Sequence, residues 1–522
     1  MRMEPRRWGR GGLLAVGAAV LLVVAACGSG GTGTGSTSGG GTATNATFVV
    51  ADTSSVQKLD PAVMTNFLDF SALGMVYQTL VTLNSKLEVA PELATSWSTG
   101  SGGTTLTFNL RKNVKFDDGS TLTSQDVKAT FERILEPSTG AAAASYLASV
   151  QSISTPSSDQ VVLHLSHPDN SLIFGLASDN LAIVPGQAIT GGTLKTQPDG
   201  TGPYKFSSYQ PNNSFTVTRN PHYWGGTPTL KEIVFRTIPD EQSIASALQA
   251  GTVQMGLLTE PQVVHTLQGS SAAVKKELSL NYRALMMQST SGPLANGDAR
   301  LAIQCALNRS AILQAAVQGQ GKVVGPVPQG PFASDPKAGT CGTQNLSQAR
   351  SYLQKAGMPN GFSFTVLTSN DLDGTSNAQA VTIQNELAQV GIHMSIDNVA
   401  SSAYIQDWLK GQFQGALAEN GASPSPYIMY GRYFGKGASL AIPAGYSSPE
   451  LQNLLQQAVQ TQSTSQQQQL YSQFTDNLVN NAVWIWLFNG YQYYGLSGKV
   501  KGFTPLPSGS LSGLTQTTLA SS

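Results

Sequence analysis

Apolar and polar residues alternate at Thr105–Leu110 (TLTFNL), Gln160–Leu165 (QVVLHL), Ser214–Thr218 (SFTVT) and Glu232–Thr237 (EIVFRT). Successive side chains of a strand point to opposite faces, so these runs predict half-buried strands. A period near 3.6 instead marks Thr123–Leu135, Ser243–Ala250, Asp298–Asn308, Ser347–Ala356, Asn377–Val390 and Pro449–Gln460 as amphipathic helices. Thr123 fits an N-cap with acid in the turn that follows, and Gly357 and Gly391 fit helix stops. Strands and helices interleave without an internal repeat, which predicts mixed α/β lobes. The Gln466–Gln469 run sits in a helical stretch punctuated by Leu and Tyr and is expected to be a solvated face.

The N-terminus departs from this pattern. Arg2, Arg6, Arg7 and Arg10 stand against one acid, Glu4, and residues 11–26 carry no charge. That run is short of the roughly 20 residues a helix needs to cross a bilayer, and it ends in Val24-Ala25-Ala26-Cys27 without a basic stop-transfer flank. It predicts a cleaved leader over 1–26. The Val-Ala-Ala-Cys string resembles a bacterial lipobox, which implies lipid attachment at Cys27 and an extracytoplasmic, membrane-anchored protein. Residues 28–44 (GSGGTGTGSTSGGGTAT) hold no large apolar side chain, so they cannot bury a face and are expected to act as a tether. Gly-rich coil scaling gives it a span of roughly 20–25 Å.

More than 450 residues follow, too many for one hydrophobic core, so two or more lobes are expected. The chain balances 30 basic against 30 acidic residues, and only 11% of positions are charged, which argues against nucleic acid as a partner. With Cys27 assigned to lipid, Cys305 and Cys341 are left. An oxidising compartment favours their pairing, with two buried free thiols as the alternative. Closing that loop would stabilise by roughly 3–4 kcal/mol in the chain-entropy model.

Catalytic signatures do not assemble. There is no G-x-S-x-G elbow and no H-E-x-x-H, and His164, His167, His222, His265 and His393 are scattered. Gly319–Gly325 is one residue too long for G-x-G-x-x-G, and Gly431–Lys436 is one short of a phosphate-binding loop. No enzyme activity, metal site or cofactor is predicted. A secreted hydrolase and a ligand-free scaffold remain as rival classes to a solute binder.

Several strings in order carry a family resemblance. They are Leu59-Asp60-Pro61, then Pro91–Trp97 (PELATSW), Thr107–Gly119 (TFNLRKNVKFDDG) with Leu122–Val127 (LTSQDV), and Gly200–Tyr204 (GTGPY). Asn220–Trp224 (NPHYW), Ala247–Gly251 (ALQAG), Arg300–Arg309 (RLAIQCALNR), Ala356–Phe362 (AGMPNGF) and Gly445–Leu451 (GYSSPEL) follow. Together they resemble the extracytoplasmic solute-binding proteins of family 5, the dipeptide- and oligopeptide-binding components of ABC importers.

The resemblance implies an α/β, two-lobed periplasmic-binding-protein-like fold of type II, in the large class with an extra subdomain, with the ligand cleft between the lobes. Mapped onto this chain, residues 46–85, 195–283 and 481–522 would form the core of the first lobe. Residues 86–194 would form its second subdomain, and 284–480 the second lobe, with hinge crossings near Met286–Ser289 and Asn481–Trp486. The implied function is capture of a peptide or another solute, such as an oligosaccharide, by a monomer. Cleft closure then delivers it to a membrane permease driven by an ATPase.

The resemblance also points to site residues. Relatives line the cleft with the loop after the first strand, here Thr65–Phe70, which makes Asn66, Phe67, Asp69 and Phe70 candidates. Peptide-binding members carry Gly-Trp-x-x-Asp before a Pro, and that Asp receives the peptide amine. Here Asn420 stands in place of the Trp and Ser423 in place of the Asp. Losing that charge-assisted bond would cost about 1.5–3 kcal/mol. Glu419 is the candidate substitute, and uncharged ligands such as oligosaccharides gain ground. Tyr404 and Trp408, four apart on a helix, are either core or an aromatic wall. Trp484 and Trp486, two apart at the return crossing, are expected to face opposite sides of a strand, one toward the cleft and one into the core.

Overall fold

The computed structural model describes residues 47–520; the leader, Cys27 and the linker lie outside them. Its backbone is a 12-stranded mixed sheet. In spatial order the main path runs through His393–Asn398, Ser363–Thr368, Gly415–Asn420, Tyr282–Met287, Trp484–Leu496, Met255–Leu258, Thr47–Asp52, Glu232–Thr237, Ser214–Arg219 and Tyr204–Gln210. Two further strands, Ala273–Leu278 and Gly321–Val323, also pair with the long strand Trp484–Leu496. A separate antiparallel sheet orders Ala94–Gly100, Thr105–Leu110, Gln160–Leu165 and Val150–Ser157. The four strands read from alternation show it in their burial, with every second side chain inward.

Three regions of core follow. One gathers Phe48, Val50, Tyr204, Phe235, Tyr494 and Phe503. A second, around Phe108, Phe131, Leu147 and Val161, belongs to the four-stranded sheet and the helix Ser124–Leu135. The third covers both faces of the strands at the other end of the large sheet. Leu285, Met287, Leu417 and Ile485 face one cluster, while Ala284, Met286, Trp484 and Trp486 face the other. Burial on both faces explains why these strands read as continuous apolar runs.

Local signals set the ends of several helices. Asp126 accepts from the Thr123 amide at 2.9 Å and from its hydroxyl at 2.8 Å, closing the first turn of Ser124–Leu135. The single helix expected over Asp298–Asn308 is two, Gly297–Ala306 and Arg309–Val317. The reason is Asn308, whose side chain accepts from the Ala311 amide at 3.1 Å and so starts a new helix. Of the Gln run, Gln466, Gln468 and Gln469 are exposed, while Gln467 is buried and donates to the Ala458 carbonyl at 3.2 Å.

The recognised strings act as joints. Asp60 of Leu-Asp-Pro takes the Ala62 amide and pairs with Arg133, tying the loop after the first strand to the helix Ser124–Leu135. In Gly-Thr-Gly-Pro-Tyr, a Cβ on Gly202 would stand 2.5 Å from both the Met75 and Val76 carbonyl oxygens, so only glycine lets this loop approach the turn after Phe67–Leu73. The Trp224 indole donates to Gln78 at 2.7 Å, and the Arg111 guanidinium lies 3.8 Å over its ring. Cys305 and Cys341 form a disulfide with their Cα atoms 5.0 Å apart.

Candidate ligand cleft

Two short segments join the lobes. Ala273–Leu278 and Tyr282–Met287 pair in succession with the long strand, so the chain crosses at Ser279–Asn281 and returns at Asn489–Gly490. The crossings hold each other: the Ser279 amide donates to the Gly490 carbonyl at 3.0 Å, and the Asn489 amide group to the Ser279 carbonyl at 2.7 Å. Gln329 adds donations to the Leu278 and Ser279 carbonyls at 2.9 and 3.1 Å. These positions differ from the expected hinge. Met286, Met287 and residues 482–486 lie inside the core of the second lobe, because the long strand continues straight through from one lobe to the other.

Away from the hinge, the lobes touch again along the segment 168–174. The Asn170 amide donates to the Val459 carbonyl at 2.8 Å, and its side chain donates to the Thr461 carbonyl. The Phe174 ring lies 6.2 Å from that of Phe332, tilted by 59°, and Phe332 meets Tyr471 edge-on at 4.9 Å. Burial, with Asp169 nearby, raises the Tyr427 and Tyr471 hydroxyls above their ordinary range. Nearer the hinge, Gly330 packs between Leu87 and Pro424. Arg432 of the second lobe lies close enough to Tyr146 of the first to favour its ionised form against the larger, opposing effect of burial.

The expected site residues separate into those committed elsewhere and those beside this contact. Asn66 caps the helix Phe67–Leu73, accepting from the Leu68 amide at 2.7 Å and donating to the Ser55 carbonyl at 3.0 Å. Asp69 is fully buried and accepts from the Gln57 amide at 2.7 Å, with its second oxygen unpartnered and burial raising its carboxyl. Phe67 is 44% exposed, and its ring would meet a Cβ on Gly509 at 2.9 Å; Phe70 packs against the first-lobe core.

Glu419 does not stand free for a ligand amine. It accepts from Arg283 at 3.2 Å and Asn281 at 3.3 Å, and Arg283 also grips Asp373 at 2.9 Å. Asn420 is buried, and its side-chain oxygen accepts from the Tyr433 hydroxyl at 3.2 Å. Ser423 accepts from the Ser425 amide at 3.1 Å, in the loop beside Pro424.

Of the aromatic candidates, Tyr404, Trp484 and Trp486 are core and Trp408 is half-buried against it. Tyr404 is buried and donates to the Leu417 carbonyl at 2.8 Å, while the Trp408 indole nitrogen lies 3.5 Å from the Met286 sulfur. Trp484 and Trp486 do not face opposite sides: residues two apart on a strand share a face. Both indoles are buried in one cluster, their rings 5.8 Å apart, donating to the Ala444 carbonyl at 2.9 Å and the Tyr430 hydroxyl at 2.8 Å. They border an enclosed hole of about 10 Å³, room for no more than one water.

The comparisons with known proteins agree with this architecture. A family model described as bacterial extracellular solute-binding proteins, family 5 Middle, matches residues 88–440. The chain belongs to this family. It is 26% identical over 486 residues to the glutathione-binding protein GsiB of Pectobacterium atrosepticum, covering 88% of this chain and 91% of that protein. Among solved structures, the binding protein AgaA of A. tumefaciens R10 in complex with agropinic acid superposes with a TM-score of 0.76 at 26% identity, covering 91% of this chain and 99% of that one. The binding protein DppA of Helicobacter pylori in complex with the peptide STSA gives 0.76 at 25% identity, covering 91% and 98%.

A family 5 solute-binding protein is a binding component of an ABC importer, not an enzyme, and its relatives are extracytoplasmic. Among the described residues no helix is long and apolar enough to cross a membrane, and no group of three or more His, Cys, Asp or Glu is arranged to hold a metal. What the sequence reading missed in this family 5 protein is the second contact between its lobes. The segment 168–174, the loop carrying Gln329–Phe332, and Arg432 gave no pattern signal, because turn residues and single charges read as ordinary surface. Arg432 is exposed, with the Gly421 carbonyl at 3.5 Å and the Tyr433 ring at 5.0 Å as its partners.

Proposed function

We propose that this protein captures a short peptide in the cleft between its lobes and hands it to a membrane permease coupled to an ATPase. The observation that carries this reading is the double contact. Lobes joined only by Ser279–Asn281 and Asn489–Gly490 meet again through Asn170 and through Phe174 with Phe332. A ligand touching both walls would therefore favour the closed arrangement. Glutathione and STSA, bound by two similar proteins, are peptides. Arg432, without a carboxylate partner, is suited to a peptide's C-terminal carboxylate. We read the lobes as bounded as the resemblance implies, with the crossings moved to 279–281 and 489–490. Lipid attachment at Cys27 and the tether that follows would keep a monomer near its permease.

A second reading, a non-peptide solute, is favoured by Ser423 and by the agropinic acid in the AgaA complex. Mass spectrometry of the compound that co-purifies with the folded protein, followed by thermal shift with tripeptides and with oligosaccharides, decides between them. A binder gains RT ln(1 + [L]/Kd), about 2.7 kcal/mol at a hundredfold excess over Kd. If sugars alone raise the melting temperature, the peptide reading fails.

A further inference from the structure

The strands of the first lobe end together on the side away from the crossings. Thr47 starts its strand opposite Glu232, Arg219 ends another opposite Tyr204, and Met255 and Ala273 both lie beside Leu496. The crossing Ser279–Asn281 stands at the other end, where Leu278 pairs with Tyr491. The last segment of the chain folds back over this pole: Val500 pairs with Leu519, the Ala520 amide donates to the Lys499 carbonyl at 2.8 Å, and the Thr229 amide to the Thr515 carbonyl at 3.1 Å. The start of the described chain is bound in here too. The Thr47 hydroxyl donates to Glu232 at 2.8 Å, and the Gln254 side chain takes the Val49 amide at 2.9 Å. Whatever is attached through residues before Thr47 therefore leaves the body at this pole.

Charge is segregated here. The segments that build the pole, 47–50, 218–232, 249–255, 268–275 and 496–520, carry Arg219, Lys231, Lys275, Lys499 and Lys501 against a single acid, Glu232. The chain beyond Cys27 has more acidic than basic residues, so the rest of the body is negative. Two of the cations are tied to carbonyls, Arg219 to those of Thr229 and Leu230 and Lys275 to that of Phe503. Lys231, Lys499 and Lys501 are exposed, and among the described residues none of the three is paired with a carboxylate. None of the large apolar side chains exposed among the described residues stands on these segments, so contact here is through charge and not through insertion.

An anchor at Cys27 and the linker after it would hold this pole within roughly 20–25 Å of the lipid. That is two to three Debye lengths at physiological salt, a gap that the swing of a flexible coil closes. Once inside it, each lysine gains about fivefold from an anionic surface, while the negative remainder of the body is repelled. We propose that the lysine-bearing pole of the first lobe is a docking surface for the anionic phospholipid membrane that holds the anchor, and that it turns the crossings and the second lobe away from the lipid. The proposal rests on the reading of lipid attachment at Cys27 given above.

The test places the full, acylated chain in vesicles of phosphatidylglycerol mixed with phosphatidylcholine, and in vesicles of phosphatidylcholine alone. A fluorophore on Thr504→Cys, exposed beside the lysines, or on Ser402→Cys, exposed on the second lobe, reports contact through quenching by a nitroxide-headgroup lipid. The expected result is quenching of the first label and not the second, on the anionic vesicles only. Salt at about 1 M, which cuts the Debye length to roughly 3 Å, should abolish it. Lys231→Gln, Lys499→Gln and Lys501→Gln together should lower the ratio of docked to undocked molecules about fivefold for each lysine, with the melting temperature of that variant as the check on folding. Equal quenching on both vesicles, or quenching that survives in the triple variant, overturns the surface and leaves the anchor standing. Mass spectrometry of Cys27 tests the anchor separately. If no diacylglycerol is found there, the anchor reading fails; flotation with the anionic vesicles that the triple variant loses then supports the surface on its own, and no flotation overturns it. Polyphosphate binding that needs the same lysines, with neither quenching nor flotation, would make the pole a site for soluble polyanions and overturn the membrane proposal.

Discussion

Asp117 and Asp199 meet where the four-stranded subdomain joins the rest of its lobe. The Asp117 amide donates to Asp199 at 2.9 Å, and the Gly200 amide approaches Asp117 at 3.5 Å. Burial pushes Asp117 up to about 8, with Asp199 adding to the rise and Lys205 opposing it. Burial and then Asp118 push Asp199 up to about 6. Two carboxyls this close titrate as a pair. The folded state keeps protons that the unfolded chain releases near pH 4, so the pair's contribution to stability is lost as pH rises from about 4 to about 8. Asp117→Asn should therefore flatten the fall in melting temperature between pH 6 and 8.5 and melt higher than the unaltered protein at pH 8.5. Asp179 and Glu386, both pushed up to about 7, leave a residual slope. Scanning calorimetry across that range checks it, and an unchanged slope in the variant would show that the pair is ionised in the folded protein. Nothing in the sequence pairs these residues, which lie 82 positions apart.

The element with most to hold together is the irregular stretch between the strand Gly321–Val323 and the helix Leu346–Lys355. Tyr430 donates to its Pro326 carbonyl at 2.5 Å, Arg309 donates to the Pro336 and Gly342 carbonyls, and the Cys305–Cys341 bond fixes its far end. Its tip carries Gln329 to the hinge and Phe332 to the opposite lobe. Replacing both cysteines with Ala should cost about 3–4 kcal/mol in denaturant unfolding, from the loop of 36 residues alone. It should also weaken ligand binding, although neither sulfur reaches the cleft; unfolding curves and calorimetry on the same variant separate the two effects. Elements of this kind also mark the limit of what could be read in advance. Strands with one wet face, such as Thr105–Leu110, announce themselves by alternation. Trp484–Leu496 is buried on both faces along most of its length and shows no period, so its passage from lobe to lobe stayed hidden. The reading of Ser423 as a missing charge came from the motif that the family resemblance frames around it, not from any local pattern.

At the scale of the whole molecule, the cleft closure proposed above would make the balance between open and closed forms rest on few contacts. The crossings at 279–281 and 489–490 would be common to both forms, setting the axis of motion without biasing its extent. The bias would come from groups that meet as the lobes approach, and Asn170 is well placed among them, donating through both its backbone and its side chain to the strip Val459–Thr461. Asn170→Ala keeps the first bond and removes the second. One net hydrogen bond is worth about 1 kcal/mol, which moves a two-state equilibrium roughly fivefold toward the open form. Ligand-free Asn170→Ala should then show a larger radius of gyration by small-angle scattering, while saturating tripeptides restore the unaltered value, because ligand contacts outweigh one lost bond. The variant's global stability should change little, since neither lobe's core includes Asn170. Identical scattering from both ligand-free proteins would mean that closure is held elsewhere, with Phe174 against Phe332 and Tyr471 the next contact to remove.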